Sequence, residues 1–230
     1  MQGLYKGIQK FQKIYFDKER ESFARLSRGQ SPDVLFFSCL DSRVNPNLLT
    51  QSELGELLIV RNVGNIIPPY ISSSSHKICT AAAIEFALLI LKVRYIIVCG
   101  HSDCGSLKAL YYDEKEFADM PNLKEWLDII SHVKGRVVRK GNAATSEKRK
   151  EMTEKEHIIV QLENLLTYPL VERAIREKRV KLQGWYYEIG TGEVYAYNWS
   201  KKMFEKINGS RNKEKELAGP YLREPCLCPL

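Results

Sequence analysis

The chain has 230 residues, 44% of them hydrophobic and 27% charged, with 35 Lys+Arg against 28 Asp+Glu for a formal charge of +7. At this length roughly 70% of the unfolded surface can be buried, so a core needs no disulfide or metal to hold it. Disordered, collagenous and disulfide-scaffold classes are excluded, and six cysteines must each be judged by their surroundings. The positive balance alone does not separate nucleic acid or an anionic substrate from plain solubility.

The N-terminus, MQGLYKGIQKFQKIYF, scatters lysines among apolar residues and does not read as a signal peptide. Leu4, Ile8, Phe11, Ile14 and Tyr15 recur at helical spacing, and Phe23 and Leu26 extend the pattern, so residues 1 to 28 predict one or two amphipathic helices. Gly29 and Pro32 end them. Val34 to Cys39 (VLFFSC) and Leu57 to Val60 are short apolar runs suited to strands covered on both faces. The most apolar stretch, Ile78 to Gly100, is interrupted by Glu85, Lys92 and Arg94; it predicts a buried helix over Ile78 to Leu91 and a strand over Tyr95 to Cys99, not a membrane span. Strand, helix and strand alternate. The fold class expected is α/β, a mostly parallel sheet flanked by helices.

Further on, Leu123 to Val138 and Glu151 to Lys178 predict helices, separated by a charged linker around Lys140 to Lys150. Lys181 to Ile189 and Glu193 to Tyr197, flanking Gly190-Thr191-Gly192, predict a closing hairpin. The domain reading is a helical arm over 1–30, an α/β body over 31–200 and a C-terminal tail over 201–230.

Three strands end in polar groups that packing alone does not demand: Cys39-Leu40-Asp41-Ser42-Arg43, Arg61-Asn62-Val63-Gly64-Asn65 and Gly100-His101-Ser102-Asp103-Cys104-Gly105. Ligands of open parallel sheets bind at the carboxyl ends of strands. Convergence there would bring Cys39, His101 and Cys104 together. Two thiolates and an imidazole favour Zn²⁺, one ion per chain, and three protein ligands leave a fourth position open, which is a catalytic pattern. Taken singly, Cys39 reads as a core cysteine and His-x-x-Cys is weak evidence. Asp41 and Arg43, two apart in an extended segment, would share a side and pair, leaving Asp41 ionised to accept a hydrogen bond.

With these residues in place the sequence resembles the β-class carbonic anhydrases, through Cys39-Leu40-Asp41-Ser42-Arg43, His101-Ser102-Asp103-Cys104-Gly105, Arg61-Asn62-Val63-Gly64-Asn65 and Ala82-Ala83-Ile84-Glu85. The resemblance covers residues 1 to about 200, and bacterial and carboxysomal members look nearest. It implies zinc on Cys39, His101 and Cys104, a catalytic Asp41–Arg43 dyad, and reversible hydration of carbon dioxide to bicarbonate and a proton by zinc-bound hydroxide. It also implies a substrate pocket of Gln30, Leu58, Val63, Phe86 and Gly105, and a homodimer embraced by N-terminal helices, often paired into a dimer of dimers. Read from this sequence alone, Gln30 is an exposed turn residue. Some members carry a histidine shuttle where Ile90 stands, and bicarbonate-inhibited members a tryptophan where Phe36 stands, so neither feature is expected. Alternatives are hydrolysis of carbonyl sulfide or carbon disulfide on the same site, and a non-catalytic zinc-binding structural or redox-sensing protein with Asp41 closing the fourth position.

The remaining features are read plainly. Cys79 and Cys99 lie in apolar runs and are expected in the core. His76, His132 and His157 are expected on solvated surfaces, and Trp185, Tyr186 and Tyr187 in packing rather than base stacking. Cys226 and Cys228 fall in the tail. No nucleic-acid or membrane partner is expected. Without an export signal, the expected compartment is the reducing cytoplasm, the carboxysome included.

Overall fold

The computed structural model describes residues 1–71, 79–141 and 145–208. The chain opens with α1 (Gln2–Lys10), which runs through a wider turn at Phe11–Tyr15 into α2 (Phe16–Lys18), followed by α3 (Arg20–Leu26). None of these segments buries a residue. Phe11, Tyr15, Phe16 and Phe23 cluster their rings within the arm, yet Leu4, Ile8 and Ile14 stay more than half exposed. At its start the arm carries an apolar stripe that the described residues leave exposed, while at its end Leu26 lies against Gly55, its Cδ2 2.6 Å from where a Cβ there would stand.

The body is a six-stranded sheet made of β1 (Val34–Cys39), β2 (Leu57–Asn62), β3 (Tyr95–His101), β4 (Lys181–Glu188), β5 (Glu193–Asn198) and β6 (Met203–Lys206). Its order is β2-β1-β3-β4-β5-β6. The first four strands are parallel, and β4, β5 and β6 meander antiparallel. The expected α/β class is therefore what the chain adopts. After β1 the chain pairs β2 on one side and β3 on the other, which makes the carboxyl end of β1 a switch point. β6 is a short strand inside the stretch read as tail, where two of its four residues are charged and no period-2 signal stands out.

Helices fill the crossovers: α4 (Pro46–Thr50), α5 (Cys79–Glu85) continuing into a wider helical turn at Phe86–Leu91, α6 (Gly105–Ala109), α7 (Pro121–Asp128), α8 (His132–Arg139), α9 (Ser146–Leu166) and α10 (Pro169–Arg176). Two long helices expected from periodicity are each broken in two. Tyr168 is held extended ahead of Pro169, which ends α9 and starts α10. The Ser131 hydroxyl donates to Asp128 O, a local bond that competes with helix continuation between α7 and α8. Thr145 caps α9, its Oγ1 accepting from Lys148 N at 3.1 Å.

β1 buries both faces. Leu35 and Phe37 meet Ile96, Val98, Leu182, Ile158 and Leu162 on one side, and Phe36 meets Ile97 and Cys99 on the other. Cys99 is core, as expected; Cys79 is exposed, contrary to expectation. The buried positions of its helix are Thr80, Ile84, Ala87 and Leu88, and Cys79 falls off that stripe. α9 lies close on β3 and β4 because Gly100 and Gly184 carry no side chains. A Cβ at Gly184 would stand 2.7 Å from Leu162 Cδ1 and 2.8 Å from Ile158 Cγ2, in a filled core. Gly184→Val is therefore expected to cost about 1–3 kcal/mol by overpacking, read as a lower urea midpoint at unchanged m-value.

Candidate metal centre

Cys39 ends β1 and His101 ends β3, while Cys104 lies in the tight turn that leads into α6. Parallel pairing of β1 with β3 brings the two strand ends side by side. Asp103, with φ +57°, turns the chain back so that Cys104 faces them. The ligating atoms of Cys39, His101 and Cys104 lie within 4.8 Å of one another, and all three residues are buried.

The donor set fits a soft divalent cation. His101 Nδ1 lies 2.9 Å from Ser102 O and donates to it, so Nε2 is left as the unprotonated nitrogen. That Nε2 is buried and has no hydrogen-bond partner, as expected of an atom whose partner is a metal. The two thiols influence each other's ionisation. The Cys39 side chain pushes Cys104 down to about 7, helped by the Ser106 hydroxyl and the Leu107 and Ser106 amides against burial. The same contact, together with burial, pushes Cys39 up to about 12. A divalent cation held there would be bound by both sulfurs as thiolates.

Asp41 stands next to this set, but in a turn rather than the expected extended segment: Val44 N donates to Asp41 O at 3.0 Å. The turn lets Arg43 fold back on Asp41. Its Nε donates to Oδ1 at 3.0 Å and its Nη2 to Oδ2 at 2.8 Å, and its own amide also donates to Oδ1. These bonds hold the Asp41 carboxyl well below the usual carboxylate range, against a smaller opposing effect of burial. Asp41 Oδ2 lies 3.8 Å from His101 Nε2, the nitrogen of the donor set. Arg61 secures the turn, donating from Nε to Cys39 O at 3.0 Å and from Nη2 to Asp41 O at 2.8 Å.

The residues expected to line a substrate pocket are spread around this centre. Leu58 and Val63 are half-buried on β2 and just after it. Gly105 is exposed at the start of α6, and Gln30 is exposed between α3 and β1. Phe86 is 42% exposed. Of the expected site residues, Cys39, His101, Cys104, Asp41 and Arg43 are the ones joined by the short contacts given above.

Two features escaped sequence reasoning. Glu154 of α9 is buried and accepts from Cys104 N at 3.3 Å and from Tyr186 OH at 2.9 Å. His157, expected at the surface, is fully buried; His132 is exposed, as expected. His157 Nε2 donates to Gly64 O at 2.7 Å, and burial pulls its pKa down to about 4. The available signal was the spacing of Glu154, His157, Gln161 and Asn164, polar positions at helical intervals that continue into the apolar second half of the helix. His76, Cys226 and Cys228 lie outside the described residues.

The family model described as carbonic anhydrase matches residues 34–194. A carbonic anhydrase of Synechocystis sp. is 42% identical over 198 residues, covering 86% of this chain and 71% of the relative. The solved β-carbonic anhydrase CcaA superposes with a TM-score of 0.85 at 41% identity, covering 92% of this chain and 93% of that one. The chain belongs to the β-carbonic anhydrase family. One of two β-carbonic anhydrases of Sordaria macrospora described as tetrameric matches at 26% identity and a TM-score of 0.68, over 85% of this chain and 92% of that one. No helix among the described residues of this carbonic anhydrase is long and apolar enough to cross a membrane.

The buried histidine gives the fold a pH signature. His157 is pulled below its ordinary value of about 6.5, so between these limits the unfolded chain takes up a proton that the folded chain refuses. This contribution of His157 is complete above about pH 6.5 and is lost, by about 3 kcal/mol, as pH drops toward 4. Urea titrations across that range check it, and His157→Gln should flatten the slope.

Proposed function

We propose that this carbonic anhydrase holds one zinc ion per chain on Cys39, His101 and Cys104 and interconverts carbon dioxide with bicarbonate and a proton. The observation that carries the zinc assignment is the buried, partnerless Nε2 of His101, facing two buried thiols. Zinc, when bound there, supplies a Lewis acid that makes water nucleophilic near neutral pH.

The chain's own residues do the rest. Asp41, kept ionised by Arg43, accepts a hydrogen bond from the attacking water and aims its lone pair away from the carboxylate. Arg43 fixes the carboxylate plane with two parallel N–H bonds, and Arg61 fixes the turn beneath it. Gln30 and the Gly105 amide are the proposed donors to the substrate oxygens, and Leu58, Val63 and Phe86 its apolar walls. Carbon dioxide suits such a pocket, being small and without charge.

The pocket is completed, in this reading, by a second copy of the chain. Support comes from the arm, whose Leu4, Ile8, Phe11 and Ile14 are all exposed, and from Phe86, Leu89 and Ile90, exposed together on one helix. A homodimer, or a dimer of dimers, covers such surfaces. Thiolate ligands suit a reducing compartment, the cytoplasm or a carboxysome within it.

Stopped-flow hydration with zinc measured on the same sample is the direct test. One zinc per chain with hydration between about pH 7 and 9 is expected. Full zinc with no hydration at any pH would leave the metal structural, with Asp41 closing it, and turnover of carbonyl sulfide without carbon dioxide would reassign the substrate. Asp41→Asn should keep its zinc and lose about tenfold or more in kcat/KM; full activity there would remove Asp41 from the mechanism. Deleting residues 1–28 should shift the sedimentation profile to smaller species, and an unchanged profile would take the arm out of the interface.

A further inference from the structure

His157 has no part in the chemistry above, yet all its polar atoms are committed in one direction. Ile67 N donates to Gln161 Oε1 at 2.7 Å, and that bond orients the amide. Gln161 Nε2 then donates to His157 Nδ1 at 3.2 Å, and His157 Nε2 donates to Gly64 O at 2.7 Å. Each proton has one consistent place, so the imidazole is neutral with its hydrogen on Nε2. α9 thereby grips the segment after β2 at two points, Gly64 and Ile67.

That segment lies against Ser106, the residue two beyond Cys104. Gly64 adopts φ +71°, a left-handed conformation with no side chain to lock it, so the partner of its carbonyl sets its orientation. A Cβ at Gly64 would stand 3.0 Å from Ser106 Oγ. Ser106 Oγ in turn lies 3.0 Å from Cys104 Sγ, and its hydroxyl donates once that sulfur is a thiolate. Neighbouring bonds brace the same segment, Trp126 Nε1 to Val63 O at 2.9 Å and Asn164 Nδ2 to Ile67 O at 2.7 Å. They act on either side of Gly64 and leave its carbonyl to His157.

We propose that His157 is a positioning residue for the metal centre: by holding the Gly64 carbonyl it seats the backbone against Ser106, whose hydroxyl then stays on the Cys104 sulfur. The proposal rests on the zinc reading above. A buried histidine that only filled space would be replaceable by a residue of similar bulk. This one is not, because losing the Nε2–H leaves a buried carbonyl without a donor, and the glycine that carries it is free to turn.

The test uses zinc-loaded full-length protein and two readouts: zinc release to a chromophoric chelator, and kcat and KM for carbon dioxide. His157→Leu should release zinc about tenfold faster and lower kcat, with KM changed by less than about twofold. His157→Gln, which can restore a donor to Gly64 O, should return both to within about twofold of wild type. Ser106→Ala should reproduce the fast release, and the double variant should be no faster than Ser106→Ala alone, since both act on one link. Wild-type release from His157→Leu, or effects of the two substitutions that multiply, would overturn the proposal. If His157→Leu does not fold, Gln161→Met keeps the histidine but removes the donor that fixes its tautomer, and wild-type release there would overturn it equally. Release is read without turnover, so a failure of the hydration reading leaves this outcome legible.

Discussion

The parallel pairing of β1 with β3 is the constraint on which the site depends. The register Ser38↔Cys99 sets Cys39 one step beyond the last pair, level with Gly100 and one residue short of His101 at the end of β3. A slip of one residue would turn Cys39 to the opposite face and bury a different side chain at the switch point. The register cannot slip cheaply, because β1 is buried on both faces and Leu35, Phe36 and Phe37 each fill a fixed place. Metal geometry is thus inherited from core packing. The chelating turn after β3 adds Cys104 at little extra entropic cost, being only three residues from His101.

A second dependence runs through α9. The missing side chains of Gly100 and Gly184 let this helix settle close on β3 and β4. That proximity places Glu154 within reach of the Cys104 amide and His157 within reach of Gly64. The helix is therefore buried on more than one side, with Glu154, His157 and Gln161 inside alongside Ile158, Leu162 and Leu165. Each of these buried polar groups has a named partner, which is what makes its burial affordable.

This arrangement explains what could be read from the sequence and what could not. Cys39, His101 and Cys104 were legible because each follows or ends an apolar run, so polarity changes sharply at the strand end. The α/β class was legible because strands and helices alternate. His157 was misplaced for the opposite reason: α9 carries its polar stripe inward, and periodicity assigns polar stripes to solvent. Cys79 was misplaced because its run is apolar nearly all round, and only packing decides which third of such a helix is covered. β6 escaped because four residues with two charges carry no pattern. The turn at Asp41 escaped because its cause is a backbone bond from Val44, which no residue type announces.

The net charge of +7 looks like a clue to an anionic partner, and the structure puts a different value on it. Two cations near the metal centre, Arg43 and Lys108, are already paired in a chain: Asp41 to Arg43, Arg43 to Asp103 at 3.4 Å, and Asp103 to Lys108 at 2.5 Å. These residues are largely exposed except Asp41, so the outer links add little to stability. Their effect is orientation. A lone Arg43, 44% exposed at its side chain, would sample several rotamers. Pinned on its outer side by the Asp103 carboxylate and backbone carbonyl, it presents one guanidinium face to Asp41. The charge that matters to this carbonic anhydrase is therefore not the excess but the alternation. Alternating charges keep one carboxylate ionised and still at the edge of a buried donor set, where an unpaired carboxylate would take up a proton instead.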